Sequence, residues 1–256
     1  MQLLPLELSS FQCGYFPDRD ACYDHYFVIE ASDSERQFLL DLGYRAFGKY
    51  YFRPCCTGCH LCVPLRVPIG SFKPSKSQRR VWNRCSNIRV EVGVPQYSNE
   101  KYAMYCEHLE RFQMNRKPGP PIEFQHSFYD PEFPALEFSY YLGETLIAVG
   151  IVHETEIALS SVYFYYRLDH SELSLGTFGV LQEIEYARLT GKRFLYLGYW
   201  IRDNRFMRYK AEFRPNEILD SHCEWKPFRT AQGDYLIEPS AKFNPPPSPL
   251  FGLRQQ

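Results

Sequence analysis

The chain has 256 residues, 45% of them hydrophobic and 17% aromatic, and its net charge is −1. These values predict a packed globular protein of one large or two modest domains, and they exclude a disordered or uniformly basic chain. Neither a signal peptide nor a run of about 18 apolar residues is visible, so we expect a cytoplasmic protein with no membrane partner.

The first 113 residues are expected to form short elements around a group of cysteines. The spacing of apolar residues and a glycine C-cap at Gly43 define these elements. The expected helices are 34–42, 75–84 and 99–113, and the expected strands are 50–54, 66–69 and 88–92.

The second half of the chain has a different order of elements, in which Gly143-Glu144 marks a hairpin turn. The expected elements are strands 136–142, 145–153 and 158–167, helix 174–190 and strand 194–199. An antiparallel hairpin, a third strand, a helix and a parallel strand predict an α+β fold with a mixed sheet of the GNAT-like (acyl-CoA N-acyltransferase) type.

This order of elements divides the chain into three expected regions. They are a cysteine-bearing N-terminal domain (1–92), a GNAT-like C-terminal domain (93–228) and a C-terminal extension (229–256). The extension contains the proline-rich stretch 244–249.

The clearest chemical motif is a set of three cysteines at a spacing of three residues, Cys56, Cys59 and Cys62. Thiols at this spacing suit Zn²⁺ or an iron–sulfur cluster, and a reducing compartment favours metal binding over disulfides. Cys13 is the leading candidate for a fourth ligand, with Cys55 and His60 as local rivals. The alternative is a set of reduced, buried thiols without metal. The remaining cysteines are expected to be isolated core residues: Cys22, Cys85, Cys106 and Cys223.

Residues 42–90 contain ten Lys or Arg and no Asp or Glu, so this part of the chain is locally basic. The segment 75–80 and Arg84 offer hydroxyl, amide and guanidinium groups that suit phosphates, and Trp82 and the aromatic residues 50–52 could stack on unpaired bases. Such a surface predicts RNA or another phosphate-rich partner. A solvated basic helix is the alternative.

Two motifs in the second half could carry chemistry. Ser174-Leu175-Gly176-Thr177 opens a helix whose free backbone amides suit an anion or a carbonyl oxygen, although Ser and Gly also serve as helix caps. Tyr209 and Lys210 follow a core strand, and at least one of them should reach solvent or a site. Other residues could act as an acid or a base, but their spacing selects none: Asp169, His170, Glu172, Glu183 and Glu185.

Together these motifs resemble the aminoacyl-tRNA–protein transferase family, most closely its bacterial aspartate/glutamate leucyltransferase branch. The resemblance covers about residues 13–225. The matching motifs, in chain order, are Arg53-Pro54-x-Cys56-x-x-Cys59-x-x-Cys62-x-Pro64-x-Arg66, Phe72-x-Pro74-Ser75-x-Ser77-Gln78-Arg79-Arg80, Ser174-Leu175-Gly176-Thr177, Tyr196-Leu197-Gly198-Tyr199-Trp200-Ile201 and Met207-x-Tyr209-Lys210.

The resemblance implies transfer of leucine from leucyl-tRNA to an N-terminal Asp or Glu of an acceptor protein, which marks that protein for degradation by the N-end rule (N-degron) pathway. The implied partners are aminoacyl-tRNA and the acceptor proteins, and not DNA. Because the aminoacyl ester is already activated, no cofactor is required for transfer. Four positions match cysteines that are linked to metal in the family, namely Cys13, Cys56, Cys59 and Cys62. Relatives commonly have His where this chain has Cys55.

We assign roles to individual residues from this reaction. The catalytic groups facing the ester are expected to be the backbone of Gly176 and Thr177 with Tyr209 or Lys210. The acidic acceptor side chain is expected to bind Arg66, Gln78, Arg79 or Arg80. The tRNA is expected to contact Lys73, Ser75, Lys76 and Arg84. Two alternatives remain: arginyl transfer from arginyl-tRNA to the same acceptors, and a non-enzymatic metal-bearing RNA-binding module.

Overall fold

The structure is a computed structural model that describes residues 1–112 and 118–238. The α-helices are α1 (Asp33–Asp41), α2 (Lys76–Arg84), α3 (Asn99–Glu110), α4 (Pro121–Phe128) and α5 (Leu175–Leu189). The strands are β1 (Gln2–Pro5), β2 (Ser10–Gln12), β3 (Asp20–Glu30), β4 (Arg45–Phe47), β5 (Tyr50–Pro54), β6 (Val63–Pro68), β7 (Ile88–Gly93), β8 (Ala135–Leu142), β9 (Thr145–Glu154), β10 (Ala158–Tyr166), β11 (Phe194–Trp200), β12 (Asn216–Leu219) and β13 (Trp225–Arg229). Short 3₁₀ segments are Ile69–Ser71, Leu168–Leu173 and Arg208–Glu212.

The smaller sheet has the strand order β1-β3-β5-β4, with β2 also paired to β3, and its pairs are antiparallel. Helix α1 begins at Ser32, whose hydroxyl accepts from the Glu35 amide at 3.3 Å while the Glu35 carboxylate accepts from the Ser32 amide at 2.8 Å. This capping box satisfies two amides that a helix start otherwise leaves free. The sheet and α1 bury a small aromatic core around Tyr26, Tyr44 and Tyr51.

The larger sheet has the order β13-β12-β6-β11-β10-β9-β8-β7. Its neighbouring strands are antiparallel except for β10 and β11, which are parallel. Successive strand residues point to opposite faces, so the sheet has two cores. Helices α5 and α2 belong to one core and an aromatic cluster of α3 and α4, including Phe124 and Phe128, to the other.

The predicted α+β class and the order hairpin, third strand, helix, parallel strand are confirmed by β8, β9, β10, α5 and β11. Sequence reasoning did not find β1 to β4, α4, β12 or β13. Strands β6 and β7 fall within the expected N-terminal domain (1–92), yet both pair in the larger sheet. The expected boundary at residue 92 therefore does not separate the two sheets.

Two expectations concern residues beyond the described ranges: the last residue of the helix expected over 99–113, and most of the extension 229–256 with its prolines at 244–249. In the described ranges, no helix combines the length and apolar character needed to cross a membrane.

Candidate active site

A gap between β10 and β11 lies at the centre of the larger sheet. The two parallel strands pair only where residues 158–160 meet residues 194–196. Farther along, β10 stays paired with β9 and β11 with β6, so the two strands separate toward their carboxyl ends. Sheets of this kind bind ligands at the carboxyl ends of diverging parallel strands. The candidate site consists of the side chains that meet at this gap.

Arg45 and Gly198 define the floor of the gap. Gly198 has φ +77° and follows a register shift in the pairing of β11 with β6. A Cβ at Gly198 would lie 3.0 Å from the Arg45 Nε, so glycine lets the guanidinium rest on the strand. Arg45 also donates to the Ser160 hydroxyl at 2.6 Å and to the Ser161 carbonyl. A fixed positive charge therefore bridges the two strands where they separate.

Glu183 reaches the gap from the middle of α5. Its side chain is 1% exposed, and Ser161 Oγ donates to Oε1 at 3.1 Å. In the described residues Oε2 has no hydrogen-bond partner. Burial raises the pKa of Glu183 to about 8, against the opposing effects of the Ser161 hydrogen bond and the Arg45 and Lys210 charges. Glu183 can therefore change protonation state near neutral pH.

Lys210 and Tyr209 enter the same region from the 3₁₀ segment Arg208–Glu212. Lys210 Nζ donates to the Tyr199 carbonyl at 3.2 Å. Burial, and then repulsion by Arg45, lowers the pKa of Lys210 to about 7, although Glu183 opposes this. Burial raises the pKa of Tyr209 to about 12, with a further contribution from Glu183. The structure thus brings two predicted catalytic residues toward one buried carboxylate.

The other two predicted catalytic residues lie at the first turn of α5. Ser174, in the left-handed conformation with φ 59°, precedes Gly176 and Thr177, and no side chain caps this helix start. Glu183 follows Gly176 by seven residues, which is about 10 Å along a helix axis. The first turn of α5 is therefore separated along the helix from the region where Glu183 and Lys210 lie.

Arg66 and Gln78, two of the predicted acceptor-binding residues, are tied into the fold. Arg66 donates to Glu217 at 2.7 Å and to Asp41 at 3.2 Å, and its guanidinium lies 3.9 Å from the Phe194 ring centroid. Gln78 closes the capping box of α2 and donates to the Glu212 carbonyl at 3.1 Å. Gln78 thereby links α2 to the segment that carries Lys210.

The remaining predicted acceptor-binding and tRNA-binding residues lie on or beside α2. Most of these side chains are exposed, and only Ser75 is half-buried because it caps the helix: Lys73, Ser75, Lys76, Arg79, Arg80 and Arg84. Arg84 donates to the Glu172 carbonyl at 2.7 Å, and Trp82 lies 5.9 Å from the Phe178 ring of α5. The basic face of α2 is therefore next to the first turn of α5, and a phosphate chain could contact both.

The four cysteines predicted to bind metal occupy one neighbourhood. Burial raises the pKa of the Cys62 thiol, and the thiolates of Cys56, Cys13 and Cys59 raise it further. Mutual repulsion of thiolates is what a bound cation would relieve, so the donor chemistry fits a thiophilic metal. However, no group of three or more His, Cys, Asp or Glu side chains in residues 1–112 and 118–238 is arranged to hold a metal ion. The ligand set stays a prediction.

Cys22 is not an isolated core residue, so this expectation is wrong. Its sulfur lies 3.4 Å from the Cys55 sulfur, and its amide donates to Cys56 Sγ at 3.4 Å. The antiparallel pairing of β3 with β5 brings these distant positions together. Since Cys62 directly precedes β6, which pairs with β11, the cysteine region also adjoins the end of the gap.

Sequence reasoning missed Arg45 and could not select Glu183. Arg45 lies on a three-residue strand that carries no motif, and only the tertiary fold places it against Gly198. Glu183 did leave a signal, because it is a charged residue among the buried apolar positions of α5.

Comparison with known proteins gives consistent matches over most of the chain. Residues 11–80 match the family model described as arginine-tRNA-protein transferase, N terminus, and residues 100–220 match the model for its C terminus. An aspartate/glutamate leucyltransferase of Campylobacter jejuni is 31% identical over 214 residues, covering 81% of this chain and 89% of the relative. One of Stenotrophomonas maltophilia is 34% identical, covering 87% and 94%. A solved structure of L-PGS from Bacillus licheniformis aligns with a TM-score of 0.42 and 16% identity, covering 67% of this chain and 51% of that one.

Proposed function

The chain belongs to the aminoacyl-tRNA–protein transferase family, and on this premise we propose that it transfers leucine from leucyl-tRNA to proteins that begin with Asp or Glu. The leucyl group and the Asp and Glu acceptors are those in the name of relatives such as the Campylobacter jejuni aspartate/glutamate leucyltransferase. The match covers 89% of that relative's length. The product carries an N-terminal leucine and enters the N-degron pathway. The observation that supports the mechanism is the position of half-buried Lys210 and buried Glu183 at the gap, where each affects the pKa of the other and burial moves these pKa values to about 7 and about 8.

Lys210 acts as the proton carrier of the reaction. The α-amine of the acceptor has a reference pKa of about 8 and must be neutral to attack the ester. Lys210, whose pKa is about 7, is in part neutral at physiological pH and can accept the proton that this amine loses. The amine nitrogen forms a bond to the ester carbonyl carbon, and the bond from this carbon to the ribose oxygen breaks. The Lys210 ammonium then returns the proton to the ribose oxygen, so protons and electrons balance.

Arg45 and Glu183 set the electrostatics of this step, and Glu183 is held by a hydrogen bond from Ser161. Burial, and then the Arg45 charge, keep Lys210 from being permanently protonated, while Glu183 in its ionised form stabilises the ammonium that forms during the reaction. The carbonyl oxygen gains negative charge as the amine attacks, and the nearby cations stabilise it. The ester of aminoacyl-tRNA supplies the driving force, so the chain's own residues need only position the substrates and move one proton.

The basic face of α2 and the start of α5 hold the tRNA end in this proposal. Exposed Lys76, Arg80 and Arg84 suit phosphates, and the exposed edge of Trp82 suits an unpaired base. This contact is sequence-tolerant, so the aminoacyl group selects the donor.

The test is an incubation of the protein with radiolabelled Leu-tRNA or Arg-tRNA and with peptides beginning with Asp, Glu, Lys or Ala. Leucine on the Asp and Glu peptides alone is the expected result. Arginine on the same peptides would mean that the donor is arginyl-tRNA and not leucyl-tRNA, in agreement with the name of the matching family models. Absence of both products, with RNA still bound, would favour the non-enzymatic RNA-binding alternative.

We also propose that Cys13, Cys56, Cys59 and Cys62 hold zinc or an iron–sulfur cluster with a structural role. The support is their shared electrostatic neighbourhood and the thiol donor set. Such a group would stabilise the fold around β6 when bound. Metal analysis of the purified protein, followed by chelation and thermal unfolding, tests this: an unchanged unfolding temperature after loss of the metal would contradict a structural role.

A further inference from the structure

Arg111 is a half-buried cation that lies at the end of α3 among aromatic rings. Its guanidinium carbon lies 5.0 Å from the ring centroid of Tyr166, 5.2 Å from that of Phe206 and 5.5 Å from that of Phe112. The Phe112 and Phe206 rings meet edge-on at 4.8 Å. These contacts hold the guanidinium in place by cation–π attraction, and within residues 1–112 and 118–238 its five N–H donors have no hydrogen-bond acceptor.

The lack of a hydrogen-bond acceptor sets Arg111 apart within the described part of the chain. Seven other arginines there are also buried or half-buried, and each donates to a carbonyl, hydroxyl or carboxylate oxygen: Arg36, Arg45, Arg53, Arg66, Arg167, Arg214 and Arg229. Arg111 has neither a hydrogen bond nor an ion pair in these ranges. A carboxylate ligand can supply the hydrogen-bond acceptors that this half-buried guanidinium lacks in these ranges.

Arg111 is also close to the candidate active site. The charges of Glu183 and Arg111 both act on the Tyr209 hydroxyl, Glu183 raising its pKa and Arg111 lowering it. Tyr166 is the last residue of β10, and Phe206 follows the end of β11, so the aromatic walls lie at the carboxyl ends of the two separating strands. A group bound to Arg111 would therefore be at the opening of the gap.

Arg205 is a second cation beside Arg111, but it is exposed, with its guanidinium carbon 4.5 Å from the centroid of the same Phe206 ring. His108 contacts the Tyr166 ring at a centroid distance of 4.7 Å. Burial and the Arg111 charge lower the pKa of His108 to about 4, so it is neutral at physiological pH. The pocket therefore presents one half-buried guanidinium fork, that of Arg111, with aromatic walls, and this fork suits a carboxylate bound by two parallel hydrogen bonds.

We propose that Arg111 binds the side-chain carboxylate of the acceptor's N-terminal Asp or Glu and thereby sets the acceptor specificity. This inference rests on the proposed function, because it identifies the acceptor subsite of the same reaction. It replaces Arg79 and Arg80 as the source of acceptor specificity, since those guanidinium groups are exposed and a solvated charge discriminates weakly. A neutral Asn or Gln at the N-terminus would leave the guanidinium without a counterion, and binding would be weaker.

The test is direct binding of short fluorescent peptides, measured by polarisation in the absence of tRNA. Matched pairs beginning with Asp or Asn, and with Glu or Gln, differ only in the charge of the first side chain. We expect the wild-type protein to bind the acidic member about 100-fold more tightly, and the Arg111→Gln variant to lose this preference. The Arg111→Lys variant, which keeps the charge without the fork, should retain a smaller preference.

Arg205→Gln is the matched control, because Arg205 contacts the same Phe206 ring at 4.5 Å but is exposed. It should keep the full preference. Thermal unfolding of each variant shows whether the aromatic cluster still folds, and an unfolding temperature close to that of the wild-type protein is expected. A preference that survives in Arg111→Gln, or one that is lost in Arg79→Gln instead, would overturn the inference.

The transfer assay with Leu-tRNA separates this inference from the proposed function. If selective binding of acidic peptides depends on Arg111 but no leucine is transferred, the acceptor subsite stands and the proposed reaction fails. If leucine is transferred to Asp and Glu peptides equally by wild-type protein and Arg111→Gln, the reaction stands and the subsite fails.

Discussion

Two Lys–Glu pairs that lie against or beside the larger sheet differ in how well their charges are satisfied. Lys101 lies 2.6 and 2.8 Å from the two carboxylate oxygens of Glu137, and it also donates to the Gln96 carbonyl at 2.7 Å. Lys210 and Glu183 act on each other electrostatically, but Lys210 donates to the Tyr199 carbonyl, and Glu183 Oε2 has no partner within the described ranges.

This difference separates structural charges from reactive ones. A buried ion pair whose donors and acceptors are satisfied has no reason to exchange protons or bind a ligand, and it fixes the packing of α3 on β8. Groups that are buried but incompletely paired have pKa values moved toward neutrality, as Lys210 and Glu183 do. The same residue types therefore serve stability at one end of the sheet and chemistry at its centre.

The largest effect is expected from Lys210→Met. This change removes the proton carrier but leaves a side chain of similar size, so leucyl transfer should fall about 1,000-fold while the free energy of unfolding changes by less than about 1 kcal/mol. Single-turnover transfer and urea unfolding measure the two quantities. Transfer within a factor of ten of wild type would show that Lys210 carries no proton.

Lys101→Met should have the opposite profile. It leaves Glu137 buried without its partner, so we expect a loss of about 3–5 kcal/mol in the free energy of unfolding. The surviving folded molecules should transfer leucine at the wild-type rate, when activity is normalised to the folded fraction. A loss of activity in fully folded protein would mean that this pair also belongs to the site, and the comparison would fail.

The central strands of the larger sheet and Lys210 could be predicted from the sequence, because they depend on local patterns. A hairpin turn at Gly143-Glu144 indicated β8 and β9, aromatic residues indicated β10, and Tyr209 and Lys210 were visible as polar groups after a buried strand. Arg45 could not be predicted, since its role depends on a contact with Gly198 across 153 positions of sequence. The apolar surroundings of Arg111 likewise come from three separate segments.

Arg66 shows that a charged residue in a matching motif can already have its counterions within the fold. Its place in a matching motif favoured a binding role, but its donors are already engaged by Glu217 and Asp41. Sequence spacing identifies a charged residue, and only the fold shows whether that charge has a counterion. In our proposal the acceptor carboxylate accordingly binds Arg111, an arginine that no sequence motif marks.

Glu183→Gln should change how stability depends on pH. The carboxyl pKa is about 8 in the folded state and about 4.3 in the unfolded chain, so between these values the folded state holds the extra proton. The free energy of unfolding of the wild-type protein should therefore fall by about 4 kcal/mol as pH rises from 4 to 8 on account of this group. Glutamine does not titrate, so the variant should lose this slope.

Urea unfolding at pH 5 and pH 8 measures the effect, with Glu185→Gln as the matched control on the same helix. The Arg188 hydrogen bond lowers the pKa of Glu185, so its small contribution has the opposite sign. Parallel pH profiles of wild type and Glu183→Gln would show that Glu183 is ionised throughout this pH range. The difference between the two Lys–Glu pairs would then disappear.

Gly198→Ala tests whether the gap depends on the contact with Arg45. Alanine at φ +77° is strained, and its Cβ would lie 3.0 Å from the Arg45 Nε. Gly143 has φ +59° with open space around its Cβ, so Gly143→Ala reports the backbone strain alone, about 1 kcal/mol. An additional loss of about 1 kcal/mol in Gly198→Ala, with transfer reduced about 10-fold, would show that displacing Arg45 disturbs the site. Equal stability losses in the two variants and unchanged transfer would mean that the guanidinium adapts. The position of Arg45 would then have little effect on the pKa of Lys210.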